Sequence, residues 1–170
     1  IIGCEVYVAQ RTRHDRVHGI DNESYHLVLL CKNETGYRNL SYMVSQAFVD
    51  GFYGKPRVDW ELLQSHHEGL IALSACVAGK IPQQILGKDI DGAKETALKF
   101  AQLFGEDNFY LELQDHGLAE QQEINQGILR IARETGLPLV VTNDAHYLRR
   151  EDSRMQDVLM CVQMGKTVDD

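Results

Sequence analysis

The chain has 170 residues, of which 44% are hydrophobic and 25% are charged, and its formal net charge at pH 7 is −8. This composition is typical of one folded domain with a sizeable core and excludes an intrinsically disordered chain. The negative charge argues against a free-standing nucleic-acid-binding protein, whose surface is usually basic. No run of 18 apolar residues occurs, so we predict a cytoplasmic protein with no membrane partner.

The cysteine pattern indicates the redox environment of the protein, and the first residues indicate whether the sequence is a segment of a longer chain. No C-x-x-C motif occurs, and widely spaced cysteines in apolar surroundings are typical of reduced thiols. The chain opens on the strand-like Ile1, with no initiator Met and no basic leader segment. We therefore expect a segment of a longer protein. The cysteines are Cys4, Cys31, Cys76 and Cys161.

Patterns typical of strands and helices alternate along the chain. Strand-like runs are IIGCEVYVA, YHLVLLCK, GLIALSAC, NFYLELQ and LPLVVTND. Helical spacing is present in NETGYRNLSYMVSQAFVDGF, DWELLQSHH, DGAKETALKFAQLFG, LAEQQEINQGILRIARETG and REDSRMQDVLMCVQMG. The stretches RTRHDRVHGIDNES and YGKPRVDW are predicted to be loops. This alternation favours an α/β protein with a mostly parallel sheet, either a barrel or a doubly wound layer.

Motifs that identify several common α/β enzymes do not occur in this sequence. It has no G-x-G-x-x-G, no G-x-x-x-x-G-K-[ST] and no G-x-S-x-G. Dinucleotide-binding, P-loop and α/β-hydrolase functions therefore lose their main support.

Polar residues follow the apolar run LPLVV, which we predict to be a buried strand. Asp144 and His146 are two residues apart, so on an extended chain their side chains point to the same side. An oxygen and an imidazole nitrogen at one point suit two metal ligands or an acid and base pair. The alternative is that Asp144 caps a helix and His146 lies on the surface.

Three other strand-like runs each contain one residue whose side chain could bind a metal ion. Glu5 lies within IIGCEVYVA, His26 opens YHLVLLCK and Cys76 closes LIALSAC. The alternatives are that Glu5 faces water on an edge strand, His26 is a hydrogen-bonded core histidine and Cys76 is a small buried residue. Together with Asp144 and His146, these residues suit zinc, manganese or iron. Because such metals activate water and bind phosphate oxygens, we predict a metal-dependent hydrolase of phosphate esters.

Further polar residues have two interpretations each. His116, in ELQDHG, either approaches the same side of the sheet or belongs to a turn. The cationic side chains near the loops either hold phosphate or are solvated on the surface. These are Lys55, Arg57, Arg149 and Arg150.

Six stretches of the sequence, in order, carry a resemblance to a known family. They are IIGCEVYVA, YHLVLLCKNETGYRNL, GFYGKPRVDWELL, GLIALSACVAGKIP, NFYLELQDHG and PLVVTNDAHYLRREDSRMQDVLMCVQMGKTVDD. They resemble the PHP (polymerase and histidinol phosphatase) domain, and more narrowly that domain in the α subunit of bacterial DNA polymerase III, the C-family replicative polymerase. The resemblance covers essentially all 170 residues. It implies a distorted (β/α)7 TIM-like barrel over residues 1–164, followed at 165–170 by the start of a connection toward the polymerase domain.

The resemblance also implies a set of metal ligands at one end of the barrel, which holds up to three divalent metals in this family. Matched motif by motif, the metal ligands are Glu5, His26, Cys76, Asp144 and His146, with Asp144 and His146 as catalytic residues. The family's leading H-x-H motif and its second histidine motif are not present in this sequence. We therefore expect a partial barrel that lacks its first βα unit or units and is inactive in isolation.

The function that the resemblance implies is DNA replication by a nucleotidyltransferase whose polymerase domain, with its Mg²⁺ ions, lies outside this segment. In some relatives the PHP domain is a metal-dependent 3′→5′ proofreading exonuclease. The expected partners are DNA, through the full-length polymerase, and replisome subunits such as the sliding clamp or a proofreading subunit. The alternatives are a stand-alone metal-dependent phosphatase of the same superfamily and a non-catalytic scaffold module.

Overall fold

The computed structural model describes residues 1–105 and 107–169, which form a mixed six-stranded sheet with helices packed against it. The strands are β1 (Gly3–Ala9), β2 (Ser24–Cys31), β3 (Arg57–Val58), β4 (Leu70–Leu73), β5 (Phe109–Leu113) and β6 (Leu139–Val141). The α-helices in this part of the chain are α1 (Glu34–Val49), α2 (Trp60–His66), α3 (Lys80–Leu86), α4 (Ile90–Phe104), α5 (Ala119–Thr135) and α6 (Ser153–Met164). A short 3-10 turn, Arg150–Asp152, precedes α6.

The order of strands across the sheet is β3-β1-β2-β4-β5-β6. Strand β2 is antiparallel to both of its neighbours, whereas the β1–β3, β4–β5 and β5–β6 pairs are parallel. All strands except β2 therefore run in one direction, which confirms the prediction of an α/β protein with a mostly parallel sheet. The residues that follow these five strands lie at one end of the sheet, and the residues that begin β2 lie at the same end.

The hydrophobic core lies between the helices and one face of the sheet. Val6, Leu27 and Leu29 are buried on that face, and Phe109 packs against Phe100 of α4 with ring centroids 5.6 Å apart. Because side chains alternate along a strand, the neighbours of these residues in β1 and β2 point to the opposite face. That opposite face carries Glu5 and His26, so the alternation separates the core from the polar residues.

Several helix ends occur where the sequence predicts them. Asp59 caps α2, and its side chain accepts a hydrogen bond of 3.1 Å from the backbone N–H of Leu62. Helices α4 and α5 end at Gly105 and Gly136, whose φ angles of +85° and +75° favour glycine. A cap such as Asp59 contributes about 1 kcal/mol to stability.

Arg57 is buried, and it organises the loop between β1 and β2. Its side chain, 1% exposed, donates through Nη2 to the carbonyls of Arg13 and Asp15 at 3.0 and 2.9 Å. Nη1 donates to the carbonyl of Asp21 at 2.7 Å, and Nε donates to that of Gly51 at 3.0 Å. Both interpretations of Arg57, as a phosphate contact and as a solvated surface residue, are wrong.

Other departures from the sequence-based expectations have local causes. The stretch YGKPRVDW, predicted to be a loop, contains β3, a strand of two residues that pairs with β1. Helix α3, about two turns long, was not predicted, because Gly79 at its N-cap position provides no side-chain cap of the kind that marked α2. Strand β6 is not buried: Leu139 is 40% exposed and Val141 77% exposed. Strand β6 pairs only with β5 in the described sheet, so its side chains are covered on fewer sides.

None of the helices in the described part of the chain combines the length and the apolar character needed to cross a membrane.

Candidate metal centre

Glu5 and His26 share the polar face of the sheet because of the register between β1 and β2. In this antiparallel pair Glu5 lies opposite Val28, and Tyr7 lies opposite His26. Residues opposite each other point to the same face, so Glu5, Tyr7 and His26 form one row of side chains. The ring of Tyr7 packs edge-on against that of His26, with centroids 5.1 Å apart, and this contact restricts the imidazole.

Cys76 reaches the same point from the loop after β4. The loop is anchored by a bridge between His26 and Gly79, in which the backbone N–H of His26 donates to the carbonyl of Ala78 at 3.0 Å. Cys76 therefore does not close a strand, as the sequence suggested, but lies three residues beyond the last residue of β4, Leu73.

The three side chains bring three different ligand atoms together. Nδ1 of His26 lies 2.9 Å from Oε1 of Glu5 and 3.7 Å from Sγ of Cys76. The three atoms all lie within 4.8 Å of one another. A carboxylate oxygen, an imidazole nitrogen and a thiol sulfur form a donor set that suits zinc and related transition metals. We call Glu5, His26 and Cys76 the ligand triad.

The hydrogen bonds of the ligand triad determine where a proton is held. Those from His26 to Cys76 and to Glu5 raise the pKa of the imidazole to about 9. The bond to His26 lowers the pKa of Glu5, although burial acts in the opposite direction. A metal ion at this point would take the place of the Nδ1 proton, because metal binding needs the neutral imidazole.

Asp144 and His146 lie at the same end of the strands as the ligand triad but are not part of it. The chain turns sharply after β6, with Asp144 at φ +45°. Nδ1 of His146 is 2.8 Å from the carbonyl oxygen of Asp144. Neither residue contributes an atom to the group of ligand atoms that lie within 4.8 Å of one another. Asp144 caps no helix in the described part of the chain, since the N-cap position of α6 belongs to Asp152, so that part of the alternative is wrong. The other part is confirmed, because His146 is exposed.

A buried carboxylate that the sequence analysis missed supports the end of β6. Glu112 of β5 is 5% exposed, and its Oε1 accepts hydrogen bonds from the Thr142 hydroxyl and from Nε2 of Gln114. Its backbone N–H donates to Oγ of Ser74 at 2.8 Å. Glu112 thus links the strand β5 to the residue two positions before Asp144. The available signal was a glutamate inside the apolar run FYLEL, the same pattern that identified Glu5.

His116 holds the segment after β6 from the other side. Its Nδ1 accepts a hydrogen bond from Nε2 of Gln121 at 2.7 Å, which leaves Nε2 as the protonated nitrogen. That nitrogen donates to the carbonyl of Asn143 at 2.5 Å. Both ring nitrogens are thus engaged. His116 approaches the end of the sheet at which Asp144 lies. Its role is to position the chain after β6, and it does not offer a ligand atom.

Comparison with known proteins gives a consistent set of similarities. A family model described as "PHP domain" matches residues 1–116. The chain is 50% identical over 171 residues to the DNA polymerase III subunit alpha of Treponema pallidum and 47% identical over 172 residues to that of Thermus aquaticus. It is 40% identical over 174 residues to that of Aquifex aeolicus. These alignments cover 99–100% of this chain but only 14–15% of the relatives, so the chain spans about one seventh of their length.

Proposed function

Because the chain belongs to the PHP domain family, we propose that it is the PHP domain of a DNA polymerase III α subunit and takes part in DNA replication. The parent would be a nucleotidyltransferase whose Mg²⁺-dependent polymerase site lies outside these residues. Its partners would be DNA and other replisome subunits, such as the sliding clamp or a proofreading subunit. What supports this is the similarity along the whole chain to relatives of that name.

For the fold, the proposal is that residues 1–164 form part of a distorted (β/α)7 barrel and that 165–170 begin the connection toward the polymerase domain. The shared direction of all strands except β2 supports a barrel arrangement. So does the gathering of polar residues at the ends of the parallel strands, where α/β barrels carry their active sites.

The proposed activity is metal-dependent hydrolysis of phosphodiesters, in the form of a 3′→5′ exonuclease that removes nucleotides from a DNA end. The observation that carries the proposal is the ligand triad, whose three atoms converge within 4.8 Å. Zinc, manganese or iron suits this mixed donor set, and the family resemblance implies up to three ions. A bound divalent metal lowers the pKa of water and neutralises charge on phosphate oxygens.

The chain's own residues have distinct roles in this proposal. Glu5 supplies an anionic oxygen, His26 supplies Nδ1 after losing its proton, and Cys76 supplies a thiolate. His146 donates from Nδ1 to the carbonyl of Asp144, which leaves Nε2 as the nitrogen with a free electron pair. Asp144 and His146 are the proposed catalytic residues. They would bind and orient the phosphate of the substrate at the side of the metal centre that the ligand triad leaves open.

A second candidate function is a non-catalytic scaffold module within the polymerase. The observation that favours it is the separation of Asp144 and His146 from the ligand triad, since a complete centre would include them.

The two candidates are separated by a nuclease assay on the natural-length protein with a DNA primer that ends in a mismatch. We expect nucleotide release that a chelator abolishes and that falls at least about 100-fold in His146→Ala. The control is His67→Ala, in which the altered histidine lies at the end of α2. No nucleotide release, or equal release by the two variants, would favour the scaffold.

A further inference from the structure

A cavity of about 140 Å³ in this acidic chain is lined by cationic side chains. It lies where the end of β1 and the start of β2 meet α2, α3 and α4. Arg11, Lys80 and Lys99 line it, and none of its lining residues carries a carboxylate in the part of the chain that the structure describes. With a net charge of −8 for the whole chain, this local excess of positive charge does not follow from composition.

The three cations differ in their partners. The guanidinium of Arg11 donates to both carboxylate oxygens of Asp21, with Nε 2.9 Å from Oδ1, so its charge is balanced. The ammonium groups of Lys80 and Lys99 instead lie over aromatic rings. Nζ of Lys80 is 5.9 Å from the ring centroid of Tyr25, and Nζ of Lys99 is 4.0 Å from that of Trp60. A ring face offsets only part of an ammonium charge.

Two ammonium groups line this cavity and repel each other: Lys80 is half-buried, and Lys99 is exposed at the mouth. Burial and the nearby charge of Lys99 lower the pKa of Lys80, which shows both effects acting on the same group. An anion between them would relieve the repulsion and replace the lost hydration. Phosphate suits this position, because its oxygens accept charge-assisted hydrogen bonds from several ammonium donors at once.

The position of the cavity connects it to the ligand triad. His26 belongs to both sites, but they lie on opposite faces of the sheet: Val8 and Tyr25 of the cavity point to the helix-covered face, whereas the imidazole of His26 points to the polar face. We propose that the Lys80–Lys99 cavity binds a phosphate group of the substrate strand, at the same strand ends as the metal centre but beyond the phosphate that is cleaved. This inference rests on the phosphoesterase function proposed above. It adds the two lysines that would hold the substrate strand near the metal centre.

The test is equilibrium dialysis of the natural-length protein against radiolabelled inorganic phosphate, with a chelator present so that no metal contributes. The variant is Lys80→Gln combined with Lys99→Gln, which removes both positive charges and keeps polar side chains that are one atom shorter. The control is Lys94→Gln on the same helix as Lys99, where Lys94 pairs with Glu134 at 2.7 Å outside the cavity. We expect saturable binding that weakens at least about tenfold in the double variant and is unchanged in the control.

A second readout uses Trp60, the single tryptophan of the 170 residues, whose ring lies under Lys99. Phosphate binding to the natural-length protein is expected to change its tryptophan fluorescence with the same saturation curve, and the change should be lost in Trp60→Phe. Competition by a 5′-phosphorylated oligothymidylate would support a nucleic-acid strand as the source of the phosphate, and its failure to compete would overturn the assignment to the substrate. No saturable phosphate binding, or equal affinity in the double variant, would overturn the inference. Because metal is absent, this result is independent of whether the metal centre is active.

Discussion

Nδ1 of His26 on β2 lies 2.9 Å from Oε1 of Glu5 on the neighbouring antiparallel strand β1, and the same nitrogen faces the sulfur of Cys76. One nitrogen thus has both a carboxylate and a thiol as partners. In the absence of metal this arrangement holds a proton, and the same three atoms are the proposed ligands of a metal ion. The ligand triad therefore links the pH dependence of stability to metal binding.

The metal-free protein should lose stability as the pH rises through about 9. The pKa of His26 is raised to about 9 from an ordinary value of 6.5, so the folded state holds the proton more tightly than the unfolded state. Its contribution to stability is fully present below pH 6.5 and is lost as the pH rises through 9. Urea unfolding with a chelator at pH 6, 8 and 9.5 measures this.

The matched variant for this prediction is His26→Gln, which removes the titrating group and keeps a polar side chain. Its stability should depend less on pH over the same interval, and the difference between the two proteins isolates His26 from other titrating groups. Parallel pH profiles for the two proteins would show that His26 holds no extra proton.

Removal of the buried acceptor at Glu112 should destabilise the protein by about 1–3 kcal/mol. Glu112→Leu leaves the Thr142 hydroxyl and Nε2 of Gln114 without their shared acceptor. Chemical denaturation measures the change. A double-mutant cycle with Thr142→Val should give a non-zero coupling energy, because the Thr142 hydroxyl donates to Glu112. Strictly additive effects of the two substitutions would contradict the contact between them.

Loss of Arg57 should be more damaging than loss of an exposed arginine. Arg57→Leu removes the donor to the carbonyls of Arg13, Asp15 and Asp21 and leaves that of Gly51 with only the backbone N–H of residue 57, and we expect a loss of about 3 kcal/mol or more. Arg57→Lys should restore little, because a lysine cannot reproduce the planar fork of donors. The control, Arg38→Ala, alters a side chain that is 76% exposed and should change stability by about 0.5 kcal/mol or less. Thermal unfolding that ranks the two sites equally would contradict this role.

The elements that sequence reasoning recovered are those with strong local signals. Asp59, Gly105 and Gly136 mark helix ends through capping and left-handed backbone geometry, which depend only on neighbouring residues. The strand β1 and its polar member Glu5 were also evident, because alternation is a local property.

The parts that were missed depend on contacts between distant segments. The burial of Arg57 requires the carbonyls of a loop more than 30 residues earlier, and no local pattern reveals them. The place of Cys76 beside His26 depends on the bridge between β2 and the loop after β4. The exposure of Val141 follows from the edge position of β6, which is a property of the sheet and not of the run LPLVV.

The central claim, that the ligand triad binds a transition metal, is tested most directly by the metal content of the purified natural-length protein. Inductively coupled plasma mass spectrometry would compare it with Glu5→Gln, Cys76→Ser and the control Cys31→Ser, which alters a cysteine outside the triad. We predict zinc, manganese or iron in the wild-type and control proteins and a clear loss in both triad variants. Equal metal content in all four proteins, or none in any, would contradict the account.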